Sequence, residues 1–368
     1  MSDTLNNPLP DMDYPALAQQ VKRWGMELGF QQVGIAETAL DTDEAHLMNW
    51  LAAGRHGEME YMQRHGTRRS RPAALVPGTV RVISVRMDYW PGAAASADAI
   101  LDDPALAYLS RYALGRDYHK VMRKRLQRLA DRIATLTGPF GYRAFTDSAP
   151  VLEKALAQQA GLGWIGKHTN LINEHAGSWF FLGELYTNLP LPADIPVLEH
   201  CGTCQACIDV CPTGAIVAPY QLDARLCISY LTIELRGPIP EQLRPLIGNR
   251  IYGCDDCQLV CPWNRFAVAS SEQDFQPRHG LDSSTLVRLF AWNKQEFETR
   301  LQGSAIYRIG HECWSRNIAV ALGNTPSSPE VITALKARRD DASGLVREHV
   351  VWALQQHRHQ GTQYSGSE

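Results

Sequence analysis

The chain has 368 residues, 45% of them apolar and 20% charged, the make-up of a folded globular protein too long for a single core. Its formal net charge is −3, so overall charge names no polyanionic partner, and any nucleic-acid surface must be a local patch. No apolar run reaches the roughly 20 residues of a membrane-spanning helix, and the polar, acidic opening MSDTLNNPLPDMDYP is no export signal, so a cytoplasmic protein without membrane contact is expected.

In chain order, hydrophobic spacing predicts a helix over residues 13–28, a short strand over 31–38 and a helix over 41–53 capped by Asp41. Residues 56–71 are polar and rich in Gly and Arg, and read as a loop with a short helix at 59–63. RVISVRMDYW at 81–90 has a strand pattern. The clearest helix covers 120–136, with Met122, Leu126, Leu129 and Ile133 on one face and Lys120, Lys124, Arg128 and Arg132 on another. That cationic stripe is either a solvated face or a phosphate contact. A strand at 142–146 would deliver Asp147, and a helix at 151–160 would begin just after Pro150, with Asp147 in position to cap it. GLGWIGK at 161–167 lacks the G-x-x-x-x-G-K-S/T spacing of a phosphate loop. SWFFLGELYTN at 178–188 reads as another apolar strand, and LPLP at 189–192 opens a linker. This alternation of strands and helices predicts an α/β domain over 1–192.

Eight of the nine cysteines fall within 201–261. Cys201, Cys204, Cys207 and Cys211 form C-x-x-C-x-x-C-x-x-x-C closed by Pro212, and Cys254, Cys257 and Cys261 form a second run closed by Pro262. The first run has the spacing of bacterial two-cluster ferredoxins, whose fourth cysteine serves the other cluster. Thiolates at i, i+3 and i+6 can hold three corners of one iron–sulfur cube, and the proline stops the chain wrapping back. Crossing the runs gives two 4Fe–4S sites: Cys201, Cys204, Cys207 and Cys261 in one, Cys211, Cys227, Cys254 and Cys257 in the other. Cys227 stands in for the first cysteine of an ordinary second run. Zinc held by four thiolates is the alternative, and a disulfide framework a second one that suits short secreted chains. Cys313 stands alone and reads as a small buried apolar residue. Residues 193–265 are therefore expected to form a two-cluster ferredoxin-like domain.

After residue 265 the chain turns helical. NIAVAL at 317–322 is echoed by HVVWAL at 349–354, suggesting two HEAT-like repeats in an all-α region over 266–368, with 361–368 a polar, frayed tail. Clusters move single electrons and choose no substrate, so the region ahead of them must hold the electron's destination. It carries no dinucleotide fingerprint. It also lacks D-x-H-x-x-G, the motif of corrinoid bound through histidine: Asp117-Tyr118-His119 begins like it, but Met122 replaces the glycine.

Long stretches of the chain resemble epoxyqueuosine reductases, the iron–sulfur and cobalamin enzymes of queuosine synthesis in tRNA. They are RYALGRDYHKVMRKRL at 111–126, FTDSAPVLEKALAQQAGLGWIGKHTNLI at 145–172, GSWFFLGEL at 177–185, the cysteine region and RNIAVALGN at 316–324. The resemblance implies an oxidoreductase that converts epoxyqueuosine to queuosine at the wobble position of tRNAs with GUN-type anticodons. It implies that an external donor feeds both clusters, which feed a cobalamin held without a histidine ligand. It also implies an α/β cobalamin-binding region at the N-terminus and a monomer.

By the same resemblance Asp147 matches the family's proton donor. That role asks for a carboxyl protonated near neutral pH, and burial against the corrin would raise it. Arg69, Ser110, Asp147, Leu171, Leu182, Ser229 and Asp255 match cobalamin contacts, and Arg236 matches a tRNA contact. Plainer roles stand beside them: core for Leu171 and Leu182, a surface ion pair for Arg69, turn or cap for Ser110 and Ser229, and a solvated charge for Arg236. Lys336, Arg338 and Arg339 are further tRNA candidates. Two rival readings are a reductive-dehalogenase-like corrinoid enzyme, which would normally carry an export signal, and a ferredoxin-type electron carrier whose repeats dock a partner protein.

Overall fold

Four strands make the principal sheet: β1 (Gln32–Ala36), β2 (Arg81–Asp88), β3 (Tyr142–Phe145) and β4 (Phe180–Thr187). Their order is β1–β2–β4–β3, and every neighbouring pair is antiparallel. The computed structural model describes residues 12–364. Helix and strand are mixed as expected, but β2 and β3, which point the same way, are separated by β4, so the sheet contains no parallel pair.

Strand residues alternate between the two faces. On one, Ile83, Val85 and Met87 of β2 and Leu185 of β4 pack under helices α1 (Tyr14–Glu27) and α2 (Tyr118–Thr137). The helices supply Leu17, Val21, Met122, Leu126, Leu129 and Ile133, the apolar stripe read from the sequence. On the other face, Val82, Phe180 and Tyr186 meet Ala155 and Leu156 of α3 (Glu153–Gln159). That face also carries Ser84 and Glu184, opposite one another in the β2–β4 register and both fully buried. The chain just past α3 lies so close to β1 that a Cβ on Gly34 would come within 2.0 Å of the Ala160 carbonyl oxygen, which reserves that position for glycine.

Several local expectations need correction. Helix Asp41–Ala52 is capped by Leu40; Asp41, Asp43 and Glu44 occupy its first turn, where carboxylates favour the dipole. α3 begins at Glu153 rather than after Pro150, because residues 146–151 fold into tight turns of the Ser148 N–H to Thr146 O kind. No side chain caps α3, so Asp147 does not have that role. Leu189 and Leu191, at the start of the expected linker, are buried in the sheet core. The expected frayed tail is helical as far as Tyr364, in helix Gly344–Tyr364; residues 1–11 and 365–368 lie outside the described residues.

In the cysteine region, the short helices Ala206–Asp209 and Asp256–Leu259 carry Cys207 and Cys257 and pack on each other. A second core joins Leu109, Ile251 and Tyr252 to Trp314, Ile318 and Trp352 of the C-terminal helices, so one core runs across residue 265. Helices Gly310–Gly323 and Gly344–Tyr364, which contain the two echoing segments, pack against each other. Arg316, fully buried, donates to the carbonyls of Leu231, Leu235 and Gly237, and Asn317 donates to those of Thr232 and Ile251. Two of these carbonyls, of Leu231 and Thr232, belong to the π-helical turn Tyr230–Glu234, so the bonds fasten that turn to the C-terminal helices. Cys313 is buried in the same core. No helix among the described residues is long and apolar enough to cross a membrane.

Candidate active site and cluster cavities

Cys201, Cys204, Cys207 and Cys261 line one small cavity of about 50 Å³. Cys211, Cys227, Cys254 and Cys257 line part of a larger one of about 450 Å³. The chain thus brings together both crossed groups of four. Backbone N–H groups address the sulfurs: that of Ala215 lies 3.2 Å from Cys211 Sγ, those of Ser229 and Tyr230 face Cys227, and those of Trp263 and Asn264 face Cys261. Such donors favour thiolate. Among the described residues no three His, Cys, Asp or Glu groups converge tightly enough to hold one ion. Four thiols spread around a cavity suit a multi-iron cluster better than a tetrahedral zinc. Lys167 Nζ donates to the carbonyls of Gly202 at 2.6 Å and Cys204 at 2.8 Å, so the lysine of GLGWIGK fastens the first cysteine loop.

The larger cavity has an apolar wall of Tyr112, Tyr118, Leu171, Phe180, Phe181 and Leu182. Ser110, Ser229 and Asp255 are polar members of its lining. Asp255 accepts from Tyr108 Oη at 2.8 Å, Ser110 Oγ at 2.6 Å and the Arg111 N–H at 2.8 Å. It therefore pins the loop between Cys254 and Cys257 to the turn at 108–111. Ser229 Oγ lies 3.5 Å from the Cys254 carbonyl oxygen. Aromatic and aliphatic walls for a flat macrocycle, polar groups at its edge and thiols at one end fit a corrin beside a cluster. Arg69, alone of the seven residues matched to cobalamin contacts, is absent from this lining. It is buried, donating to the carbonyls of Tyr61 at 2.9 Å and Ala149 at 3.4 Å. It is therefore no surface ion pair and braces the turn that carries Asp147.

Asp147 has φ 54°, a left-handed conformation that costs a non-glycine residue about 1 kcal/mol or more. Tyr118 Oη donates to its Oδ2, and His119 Nε2 stands 3.3 Å from the same oxygen. Both donors come from the first turn of α2. Asp117 caps that turn, accepting the His119 N–H at 3.1 Å and standing 2.6 Å from ring Nδ1. The Tyr118 ring is fixed by stacking on Phe181, with centroids 3.9 Å apart. The D-Y-H that fails as a corrinoid motif thus orients Asp147.

Burial would raise the Asp147 carboxyl, but hydrogen bonds from His119 and Tyr118, with the charges of His119 and Arg308, hold it below its ordinary value. These donors favour the anion. Burial would lower the His119 imidazole; Asp117 and Asp147 outweigh it and raise it to about 9. The two groups rest as carboxylate and imidazolium.

Two carboxyls missed in the sequence lie behind Asp147. Glu153, at the start of α3, lines the cavity and accepts the Asp147 N–H. Glu184 of β4 is fully buried facing Glu153, where α3 packs on that strand, and neither of its oxygens has a hydrogen-bond partner among the described residues. Burial, then the charges of Glu153 and Asp147, raises Glu184 well above the carboxyl range; burial, then the charge of Asp147, raises Glu153 to about 7 against the hydrogen bond from the Asp147 N–H and the facing Glu184 carboxyl. One sequence signal was available: Glu184 stands in the otherwise apolar strand SWFFLGELYTN.

Arg236 is exposed and donates to the Ile309 carbonyl at 3.1 Å, close in the chain to exposed Tyr307 and Arg308. Lys120, Lys124 and Arg128 are exposed on α2, whereas Arg132 pairs with Glu27 at 2.6 Å. Lys336 and Arg339 are exposed; Arg338 is engaged by Asp341, the Phe290 carbonyl and Ser315 Oγ.

The family model for epoxyqueuosine reductase QueG (DUF1730) matches residues 69–148, and that for a 4Fe-4S double cluster binding domain matches 200–264. An epoxyqueuosine reductase of Pseudomonas aeruginosa is 62% identical over 359 residues, 97% of this chain and 98% of that one. One of Escherichia coli is 57% identical, covering 94% of this chain and 90% of that one. A crystal structure of epoxyqueuosine reductase with an epoxyqueuosine-modified tRNA-Tyr stem loop matches with TM-score 0.84 at 27% identity, over 94% of this chain and 91% of that one. The epoxyqueuosine reductase of Streptococcus thermophilus matches with TM-score 0.83, also at 27% identity, over 94% and 92%. This chain belongs to the epoxyqueuosine reductase family.

Proposed function

We propose that this protein reduces epoxyqueuosine to queuosine at the wobble position of tRNA. The observation that carries the reading is one cavity lined by both Asp147 and four cluster-type cysteines. Cys201, Cys204, Cys207 and Cys261 hold one 4Fe–4S cluster, and Cys211, Cys227, Cys254 and Cys257 the other. Cobalamin bound against the Leu171, Leu182 and Phe181 wall would supply the low-potential electrons that open the epoxide. Ser110, Ser229 and Asp255 sit where they can hold its edge, and Arg69 acts indirectly by bracing the Asp147 turn. Asp147 Oδ2 takes a proton from the His119 imidazolium beside it and passes it to the departing oxygen, which is a poor leaving group as an alkoxide. Tyr118 and His119 hold that oxygen atom in place, and His119 can return a proton to it.

The division of labour follows the chain. Residues 1–192 hold the cofactor and Asp147, 193–265 the clusters, and 266–368 present HEAT-like helices to the RNA. Arg236 meets the anticodon arm at the cavity side, where a base taken out of its stack can enter. We place the protein in the cytoplasm, as a monomer served by an external electron donor.

Anaerobic purification with cobalamin, then mass analysis of nucleosides from epoxyqueuosine-containing tRNA, tests the reading. Conversion to queuosine is expected; its absence with reduced cofactor bound rejects the assignment. Asp147→Ala should retain both clusters and cobalamin, seen by visible absorption, while losing turnover by about 10²-fold or more.

A further inference from the structure

The reaction proposed above consumes two protons at one atom. Converting an epoxide to an alkene breaks two C–O bonds, forms one C=C π bond, takes up two electrons and releases the oxygen as water. Asp147 can carry only one of those protons at a time, and its surroundings hold it as the anion. We propose that Glu153 and Glu184 share one proton and release it through Glu153 into the cavity beside Asp147, as the second proton source. The inference rests on the reaction assigned above.

The geometry is that of a store. Glu184 is fully buried where α3 packs on β4, and neither of its oxygens has a hydrogen-bond partner among the described residues, while the Glu153 carboxyl faces it. Two facing carboxyls, one of them wholly out of water and without a cation, do not both ionise, so one proton stays with the pair. Glu153 is the member that reaches the cavity, and its Oε1 already accepts the Asp147 N–H. The groups facing Glu153 are Asp147, His119, Tyr118, Arg69 and Lys154; those facing Glu184 are Glu153, Asp147 and Tyr186. No cation faces Glu184 in that set, and Lys154 Nζ donates to the Thr169 carbonyl at 2.7 Å. Ser84 Oγ, opposite Glu184, and Tyr186 Oη, two residues along the same face, are also buried without a hydrogen-bond partner. A buried acid pair set among unfilled polar groups costs stability, which a purely structural element has no reason to retain. His119 flanks Asp147 from α2 and the carboxyl pair flanks it from α3 and β4, so each proton has its own source.

Glu153→Gln and Glu184→Gln, made singly and together in the full chain loaded with clusters and cobalamin, test the proposal. Glutamine keeps an oxygen for the Asp147 N–H, so the turn is preserved. Infrared difference spectra at pH 7 should show a protonated-carboxyl band in the parent that survives Asp147→Asn and vanishes in the double variant. In the double variant kcat on epoxyqueuosine-containing tRNA should fall on the order of 10²-fold, KM should hold, and melting at pH 8 should rise. A parent without the band overturns the proposal. So does a double variant with full kcat, or one that melts lower at pH 8, which marks a structural pair. A parent that shows the band but never converts the tRNA overturns the assigned reaction instead, and the pair's link to it falls with that reading.

Discussion

His119 sets the charge of Asp147. Its imidazolium and the Tyr118 hydroxyl meet one carboxylate oxygen, and Asp117 holds the ring from behind. The sign of the resulting pH dependence follows. His119 is raised from 6.5 to about 9, so its contribution to stability is complete below about 6.5 and is lost as pH rises through about 9. Glu153 is also raised, to about 7, so the fold loses stability as pH climbs from about 4.5 through 7. Melting temperature should therefore decline from pH 5 to pH 9.5. His119→Gln should flatten the upper part of that decline and Glu153→Gln the lower part, as read from calorimetric scans at stepped pH. A parent whose melting temperature rises across that range contradicts both assignments. Asp147 was legible in the sequence through its flanking motif, and its charge state was not. Its donors lie 28 and 29 residues earlier in the chain, and only the packing of α2 against β4 brings them to it.

Crossing of the cysteine runs is the element-scale feature with the sharpest consequence. Cys207 and Cys211 lie four residues apart yet face different cavities, whereas Cys207 and Cys261 share one. Cys207→Ser with Cys261→Ser should therefore halve the iron and acid-labile sulfide of anaerobically purified protein. Cys207→Ser with Cys211→Ser should remove nearly all of it. Equal losses in the two double variants would reject the crossing. The cysteine pattern was readable because ligand spacing is a local property of the chain. The strand order β1–β2–β4–β3 was not, since β2 and β4 pair across about 90 intervening residues and alternation does not reveal strand sense. The late start of α3 escaped notice for a related reason: a proline permits a helix to begin but does not compel it.

Across the whole molecule, Arg316 and Asn317 tie the C-terminal helices to the turn that follows Cys227. Arg316→Met should strand three buried carbonyls and cost on the order of 3 kcal/mol, measured by chemical denaturation. At the surface, Arg236→Glu should weaken tRNA binding at moderate salt and leave cobalamin content unchanged. Equal tRNA affinity for parent and variant would remove Arg236 from the interface.

The interleaving of cysteines also dictates when metal can arrive. A chain emerging from the ribosome presents its first three thiols long before Cys261 joins them, and Cys211 waits for Cys254 and Cys257. With the ligand sets proposed above, neither cube would close until this whole stretch had been synthesised, and the hydrophobic packing that steadies it extends into the last helices. Iron delivery would thereby be postponed until both cysteine runs are complete, and a fragment that ends before Cys254 should bind no cube when purified anaerobically.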